Sequence, residues 1–307
     1  MDGRPTATDA TPGGVGRAGA TRFAPAPTGY LHLGHVVNAL YVWGHARATG
    51  RRVVLRIEDH DRQRSRPTFE RALLEDLAWL GFAADEGLYR QSDDQAVYAA
   101  ALEILRFNGL AYACDCSRTT FAAWAAQHGG PWRGPGCPGG CRDRPVPDEA
   151  GSGWRVVMAE GAESWTDIRL GAQRDEPARE GDVLVRDRAG NWTYSFCVVV
   201  DDLRQGIDLV VRGEDLLDAT ARQIRLGRLL GRRVPPAFLH HPLVRRPDGA
   251  KLSKADRDTS VRDLRAAGRS APALIGAAAA LVGLVEEPRD MEAAMAAALV
   301  SSRPRPR

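Results

Sequence analysis

Three observations predict an α/β fold built on a doubly wound parallel sheet. A strand, a glycine-bearing loop and a helix follow one another directly after the first twenty residues. β-rich runs then alternate with helical periods, and glycines and prolines mark the joints between them.

The elements are justified in order. TRFA (21–24) reads as a short strand, and APAPTGYLHLG (24–34) as a loop punctuated by Pro25, Pro27, Gly29 and Gly34 before an amphipathic helix that begins near His35. RRVVLRIED (51–59) has the few polar interruptions of a buried parallel strand. Pro67 and Gly81 bracket a helix whose Leu73, Leu74, Leu77 and Leu80 recur at helical spacing, and a further helix over 93–108 is closed by Gly109. From Cys114 to about Pro147 the pattern dissolves into cysteine, glycine and proline. WRVVMAEG (154–161), SWTDIRLG (164–171) and DVLVRDRAGNWTYSF (182–196) then read as strands with turn signals suited to antiparallel pairing, which makes this region an insertion. VVVDDLRQGIDLVVRGED (198–215) resumes the parallel core, and Asp215 to Leu230 forms a helix ended by Gly231. The remainder is helical and Ala-rich, ending in RPRPR.

Composition bounds the function classes without choosing among them. With 307 residues, 44% of them hydrophobic, the chain is long enough for one large or two modest domains. A net charge of +3 permits a nucleic-acid partner and does not demand one. The first twenty residues lack the apolar run of a secretory signal and read as a disordered lead-in, and no stretch approaches a membrane span, so a cytoplasmic protein with no membrane partner is expected. Five cysteines in such a chain favour metal binding over disulfides.

Two clusters carry chemistry. His32-Leu33-Gly34-His35 stands where a loop enters a helix, so backbone N–H groups and two imidazoles can face an anion there, with Gly34 permitting close approach; two histidines satisfied at a helix cap is the plainer alternative. Lys251 and Lys254 are the only lysines among 42 basic residues, three positions apart in GAKLSKAD. A compact ammonium was kept there where arginine serves everywhere else, which points to phosphate chemistry. Imidazoles from one half of the fold and ammoniums from the other can clamp a triphosphate and neutralise charge developing at its α-phosphorus. Separately, Cys114, Cys116, Cys137 and Cys141 form a four-thiolate set in a glycine-rich segment, the composition of a closed tetrahedral Zn2+ site, with His128 as a competing ligand.

RFAPAPTGYLHLGH, RIEDHD, WTYSFCVVVDD, RGEDLL and GAKLSK, in this order, resemble the class I aminoacyl-tRNA synthetases of the glutamyl branch over residues 21 to about 255. The resemblance implies a Rossmann-type catalytic domain that couples L-glutamate to AMP at the expense of ATP, with Mg2+, and transfers it to RNA. It makes His32, Gly34 and His35 ATP contacts and Lys254, helped by Lys251, the catalytic lysine of a mobile loop. Glu214 and Asp215 fall on the adenosine side. Arg22, Ala24, Ala26, Glu58, Tyr194 and Arg212 fall on the glutamate, Glu58 taking the α-ammonium and the two arginines the carboxylates. Ala26 departs from the serine common in the family.

By the same resemblance the chain divides into a lead-in (1–20), a first catalytic half (21–112), a zinc-bearing insertion (113–193), a second catalytic half (194–255) and a short helical segment with its basic tail (256–307). The paired cysteines, Val198 where the full-length branch has Asn, and the small C-terminal region resemble the short paralogues of the branch. Those attach glutamate to queuosine in the anticodon stem-loop of tRNA(Asp), and a monomer is expected. A truncated synthetase charging a tRNA 3′ end and a non-catalytic tRNA-binding paralogue remain as alternatives.

Overall fold

The computed structural model of the protein describes residues 19–127, 136–144, 146, 151–244 and 259–302. Lys251, Lys254 and His128 lie outside the described residues. The elements in chain order are β1 (Ala20–Phe23), α1 (Leu33–Ala48), β2 (Arg52–Ile57), α2 (Pro67–Trp79), β3 (Glu86–Arg90), α3 (Gln95–Phe107), β4 (Ala111–Cys114) and α4 (Arg118–Gln127). There follow β5 (Gly153–Val156), β6 (Glu163–Asp167), β7 (Gly171–Asp175), β8 (Val183–Arg186), α5 (Tyr194–Arg204), β9 (Leu209–Gly213), α6 (Thr220–Leu229) and β10 (Ala237–His241), then α7 (Val261–Ala266), α8 (Ala271–Leu281) and α9 (Ala293–Ser302).

The parallel sheet is present and reverses direction of growth at its centre. β1, β2 and β3 pair in parallel, and so do β9, β10 and β6. The two groups meet where Ala20 bridges Ile207 in parallel and the Asp208 N–H donates to the Ala20 carbonyl at 3.0 Å. The order is thus β3-β2-β1-β9-β10-β6-β7, with helices on both faces. One face packs α1, α8 and α9 around Phe23, Val53, Leu209 and Leu239; the other buries Val54, Val210, Ile224 and Phe238. Between β1 and β9 the strand order switches, and an open α/β sheet leaves a crevice beyond the carboxyl ends of its strands at that point.

The structure corrects three expectations about elements. WTYSFCVVVDDLR is not a strand running into the core: from Tyr194 onward it is the helix α5. Its β-branched run costs only a few tenths of a kcal/mol per residue in helix propensity, and burial of Phe196, Cys197, Val198, Val199 and Val200 against α3 and the β5/β8 sheet outweighs that. Second, the insertion strands do not form one antiparallel unit. β4, β5 and β8 do so, whereas β6 leaves them to pair in parallel with β10 at Asp167 and Phe238, carrying β7 with it. Third, α1 is not amphipathic but buried nearly all round, because the sheet lies on one side and α8 and α9 cover the other. No helix among the described residues is long and apolar enough to cross a membrane.

Candidate active site

A cavity of about 580 Å3 occupies the crevice at the β1/β9 switch. Its walls come from the residues after β1, the N-terminus of α1, Glu58 after β2, the first residue of α5, and the ends of β9 and β10. The loop after β1 is pinned by backbone bonds from Glu58 N–H to the Pro25 carbonyl (3.1 Å) and from Arg66 N–H to the Pro27 carbonyl (3.1 Å). Ala24 and Ala26 therefore line the cavity in fixed positions.

The two histidines form the start of α1. His32 is the N-cap residue; its Nδ1 accepts the Gly34 N–H at 3.1 Å, and its own N–H donates to Nδ1 of His35 at 3.1 Å. A neutral imidazole whose Nδ1 accepts carries its proton on Nε2. Both rings, 4.0 Å apart between centroids, thus hold an Nε2–H donor at a helix N-terminus that already favours an anion. Gly34 leaves room for this ring, because a Cβ there would lie 2.8 Å from Cε1 of His32 and the imidazole would have to shift.

The wall supplied by β1 and β9 is cationic. Arg22 and Arg212, each 4% exposed, reach the cavity from β1 and β9. Arg22 is balanced from behind: its Nε donates to Asp202 at 3.1 Å and Nη1 to the Val211 carbonyl at 3.2 Å. Burial pushes the Asp202 carboxyl upward, but the guanidiniums of Arg22 and Arg56 outweigh it and hold the group below the usual carboxylate range. Arg212 is different. Its hydrogen bonds go to neutral groups, His240 Nε2 (3.1 Å), Gln223 Oε1 (2.6 Å), Thr220 Oγ1 (2.8 Å) and the Tyr194 phenol, and no carboxylate hydrogen-bonds it among the described residues. Burial pulls its pKa down while the adjacent Tyr194 phenol opposes the shift. A buried guanidinium without a carboxylate partner leaves a charge for an anionic ligand to satisfy.

Glu58 supplies the opposite sign. Burial pushes its carboxyl up, against the pull of Arg56 and Arg22, so an incoming cation would stabilise its ionised form. Arg56 Nη2 holds it at 3.1 Å. One cavity is therefore lined by the guanidiniums of Arg22 and Arg212, the Glu58 carboxylate, the Tyr194 phenol and the imidazoles of His32 and His35.

A sequence profile described as "tRNA synthetases class I (E and Q), catalytic domain" matches residues 20–129 and 155–291. The chain is 43% identical over 284 residues to a glutamyl-Q tRNA(Asp) synthetase of Symbiobacterium thermophilum, covering 87% of both chains. The chain belongs to the class I glutamyl- and glutaminyl-tRNA synthetase family. That places it among ligases. It is also 40% identical to a glutamate–tRNA ligase of Acidithiobacillus ferrooxidans, over 83% of this chain and 55% of that one. A crystal structure of a glutamate-tRNA synthetase from Elizabethkingia anophelis superposes with a TM-score of 0.75 at 25% identity, covering 92% of this chain and 66% of that chain. The chain thus spans about two thirds of that synthetase's length.

Of the residues the motifs single out, Arg22, Ala24, Ala26, His32, Gly34, His35, Glu58, Tyr194, Arg212 and Asp215 all border the cavity. Glu214 does not border it; its carboxylate is bonded to Arg169. Lys251 and Lys254 belong to the segment outside the described residues.

The four cysteines form a second site, at the edge of the β4/β5/β8 sheet. Their Sγ atoms lie within 4.8 Å of one another, with Cys116 to Cys141 at 3.2 Å and Cys116 to Cys137 at 3.9 Å, and none is in a disulfide. Four thiolates at about 2.3 Å around a tetrahedral ion stand roughly 3.8 Å apart, so the cluster fits a metal ion. Arg155 donates to Cys114 Sγ at 3.1 Å and Arg144 to Cys141 Sγ at 3.3 Å, offsetting the excess negative charge of such a centre.

Several residues of the site were not singled out from the sequence. Arg56 is wholly buried and ties Glu58 to Asp202 (2.9 Å). His241 lines the cavity, with Nε2 2.9 Å from Asn38 Nδ2 and its ring stacked 5.2 Å from Tyr41. The available signal was a charge inside an apolar run: Arg56 in VVLRIE and Asp202 at the end of FCVVVDD must each be paired if the run is buried.

Proposed function

We propose that this enzyme activates L-glutamate with ATP to glutamyl-AMP and transfers the glutamyl group to queuosine in the anticodon stem-loop of tRNA(Asp). The observation that carries the first half is Arg212, a buried cation that hydrogen-bonds only neutral protein groups and lines one cavity with Arg22 and Glu58. In this reading Arg22 and Arg212 hold the carboxylates, Glu58 takes the α-ammonium and the Tyr194 phenol lies against the bound amino acid. An amide in place of the side-chain carboxylate would leave the Arg212 charge unmatched, which selects glutamate over glutamine.

The chemistry needs no protein nucleophile. The α-carboxylate of glutamate attacks the α-phosphorus of ATP and pyrophosphate departs; a queuosine hydroxyl then attacks the acyl carbon and AMP departs. The Nε2–H groups of His32 and His35 donate to phosphate oxygens, with Lys254 and Lys251 supplying the opposing charge, Mg2+ accompanying the ATP, and Asp215 and Glu214 on the adenosine side. Cys114, Cys116, Cys137 and Cys141 would hold one Zn2+, a structural ion that fixes the segment next to the RNA-facing insertion.

Support for queuosine as the acceptor is the relative named a glutamyl-Q tRNA(Asp) synthetase, matched over 87% of both chains. The likeness to a glutamate–tRNA ligase at 40% identity favours 3′-end charging as the second reading. One experiment separates them. Labelled glutamate and ATP are offered with a tRNA(Asp) anticodon stem-loop carrying or lacking queuosine. Labelling only of the queuosine form is expected; glutamate-dependent pyrophosphate exchange with no labelling of the stem-loop, and charging of an intact tRNA instead, would refute it.

A further inference from the structure

The insertion strand β6 reaches the cavity through a buried relay. Asp167, the last residue of β6, is 1% exposed and His240 on β10 is fully buried. Asp167 Oδ2 lies 2.7 Å from His240 Nδ1 and also accepts the His240 backbone N–H at 3.1 Å. Asp167 Oδ1 meanwhile accepts the N–H groups of Arg169 and Leu170, both at 2.9 Å, so the carboxylate cannot turn away. An ionised carboxylate only accepts, so His240 carries its proton on Nδ1 and Nε2 is left as an acceptor. That acceptor faces the Arg212 Nε–H at 3.1 Å, and the Thr220 hydroxyl lies 3.2 Å from the same nitrogen.

The arrangement fixes the guanidinium plane. Nε donates to His240 and Nη2 to Thr220 along one edge, while Nη1 donates to Gln223. Three of five N–H groups go to these partners; the other two, one on each Nη, serve the cavity and the Tyr194 phenol that also bonds this guanidinium. Two N–H groups from adjacent terminal nitrogens are the fork that accepts a carboxylate with both oxygens. Had a carboxylate filled the place of His240, the charge would be neutralised inside the protein; a histidine locked in the Nδ1–H form orients the cation and leaves its charge to the ligand.

We propose that His240, set by Asp167 and seconded by Thr220, is a positioning residue for glutamate selection, aiming Arg212 at the side-chain carboxylate. The inference rests on the reading of Arg212 as a substrate contact. It gives β6, a strand far along the chain from both β9 and the histidines of α1, a direct part in specificity.

Two isosteric substitutions separate aiming from packing. His240→Asn keeps an amide N–H where Nδ1 donates to Asp167 but offers nothing to Arg212; His240→Gln reaches the Nε2 position with an amide oxygen and gives up the link to Asp167. In tRNA-independent pyrophosphate exchange, His240→Asn is expected to raise the KM for glutamate about tenfold, the order of one hydrogen bond to a charged group, with the KM for ATP unchanged. His240→Gln is expected to stay near wild type. Should either variant fail to fold in a thermal melt, Thr220→Val, which removes the neighbouring acceptor without touching β10, is expected to show the same split. KM values for glutamate and ATP rising together, or Gln being more damaging than Asn, would overturn the proposal. Wild-type protein without any glutamate-dependent exchange would instead overturn the proposed function itself.

Discussion

At the scale of the residue, the site is a set of buried charges whose partners are chosen so that some are satisfied and some are not. Arg22 and Arg56 share Asp202, while Arg212 has neutral acceptors and Glu58 sits where burial raises its pKa. Because the Glu58 carboxyl titrates above the ordinary range near 4.3, a proton competes with a substrate ammonium earlier in an acid titration than for a surface glutamate. The KM for glutamate is therefore expected to rise as pH falls, and Glu58→Gln is expected to raise it at all pH values while flattening that dependence in pyrophosphate exchange. Gly34 is the other decisive single residue. A methyl at this position meets the His32 ring at 2.8 Å, so Gly34→Ala is expected to rotate the imidazole off its N-cap bond. The exchange rate should drop by roughly tenfold or more, the usual cost of misplacing one preorganised donor, with little change in melting temperature.

At the scale of the element, α1 does two jobs that pull its sequence in different directions. Its first turn must present polar groups to the cavity, and the rest must be apolar all round because β1, α8 and α9 enclose it. Gly44 lets α9 approach: a Cβ there would lie 2.4 Å from the Ala297 carbonyl oxygen, a backbone atom that no rotamer change relieves. Gly44→Ala is expected to destabilise the protein by about 1–3 kcal/mol, the range for overpacking a close-fitted contact, measurable by urea unfolding. The insertion shows a comparable economy. Asp182 collects Tyr112 (2.6 Å), both Nε and Nη2 of Arg142 (2.7 Å each) and the Met158 N–H (2.8 Å) next to the cysteines. Cys141→Ser is expected to lose bound metal, read by elemental analysis of the purified protein, and to impair RNA transfer more than glutamate activation. The reason is that the cluster belongs to the β4/β5/β8 sheet and not to the cavity wall.

At the scale of the whole molecule, the burial of His241 predicts a loss of stability in acid. Burial pushes the His241 imidazole from 6.5 down to about 4, while the unfolded chain retains the ordinary value. Above pH 6.5 both states are neutral and the histidine contributes no pH dependence. As pH falls below that value the unfolded state takes up a proton first, so stability declines until about pH 4, where the full gap, roughly 3 kcal/mol, has been lost. Melting temperatures between pH 7 and pH 4 are expected to fall more steeply for the native protein than for His241→Leu.

Much of this protein was legible in its sequence. The strand, loop and helix around HLGH, the Pro67 and Gly81 bracket, and the cysteine spacing are local signals, set by turn chemistry and periodicity within a few residues. They led to the doubly wound sheet and to the four-thiolate cluster, whereas the cavity residues from Arg22 to Arg212 were pointed to by the motifs shared with the glutamyl branch. What the tertiary structure alone decided depends on packing between distant segments. Whether FCVVV is strand or helix turns on what surrounds it, since propensity differs by less than burial contributes. The partnering of β6 with β10, and through it the line from Asp167 to His240 to Arg212, joins residues 73 and 28 positions apart in the chain. A hydrogen bond between such residues leaves no period or spacing to read; it exists only once the sheet has set the three side chains at bonding distance.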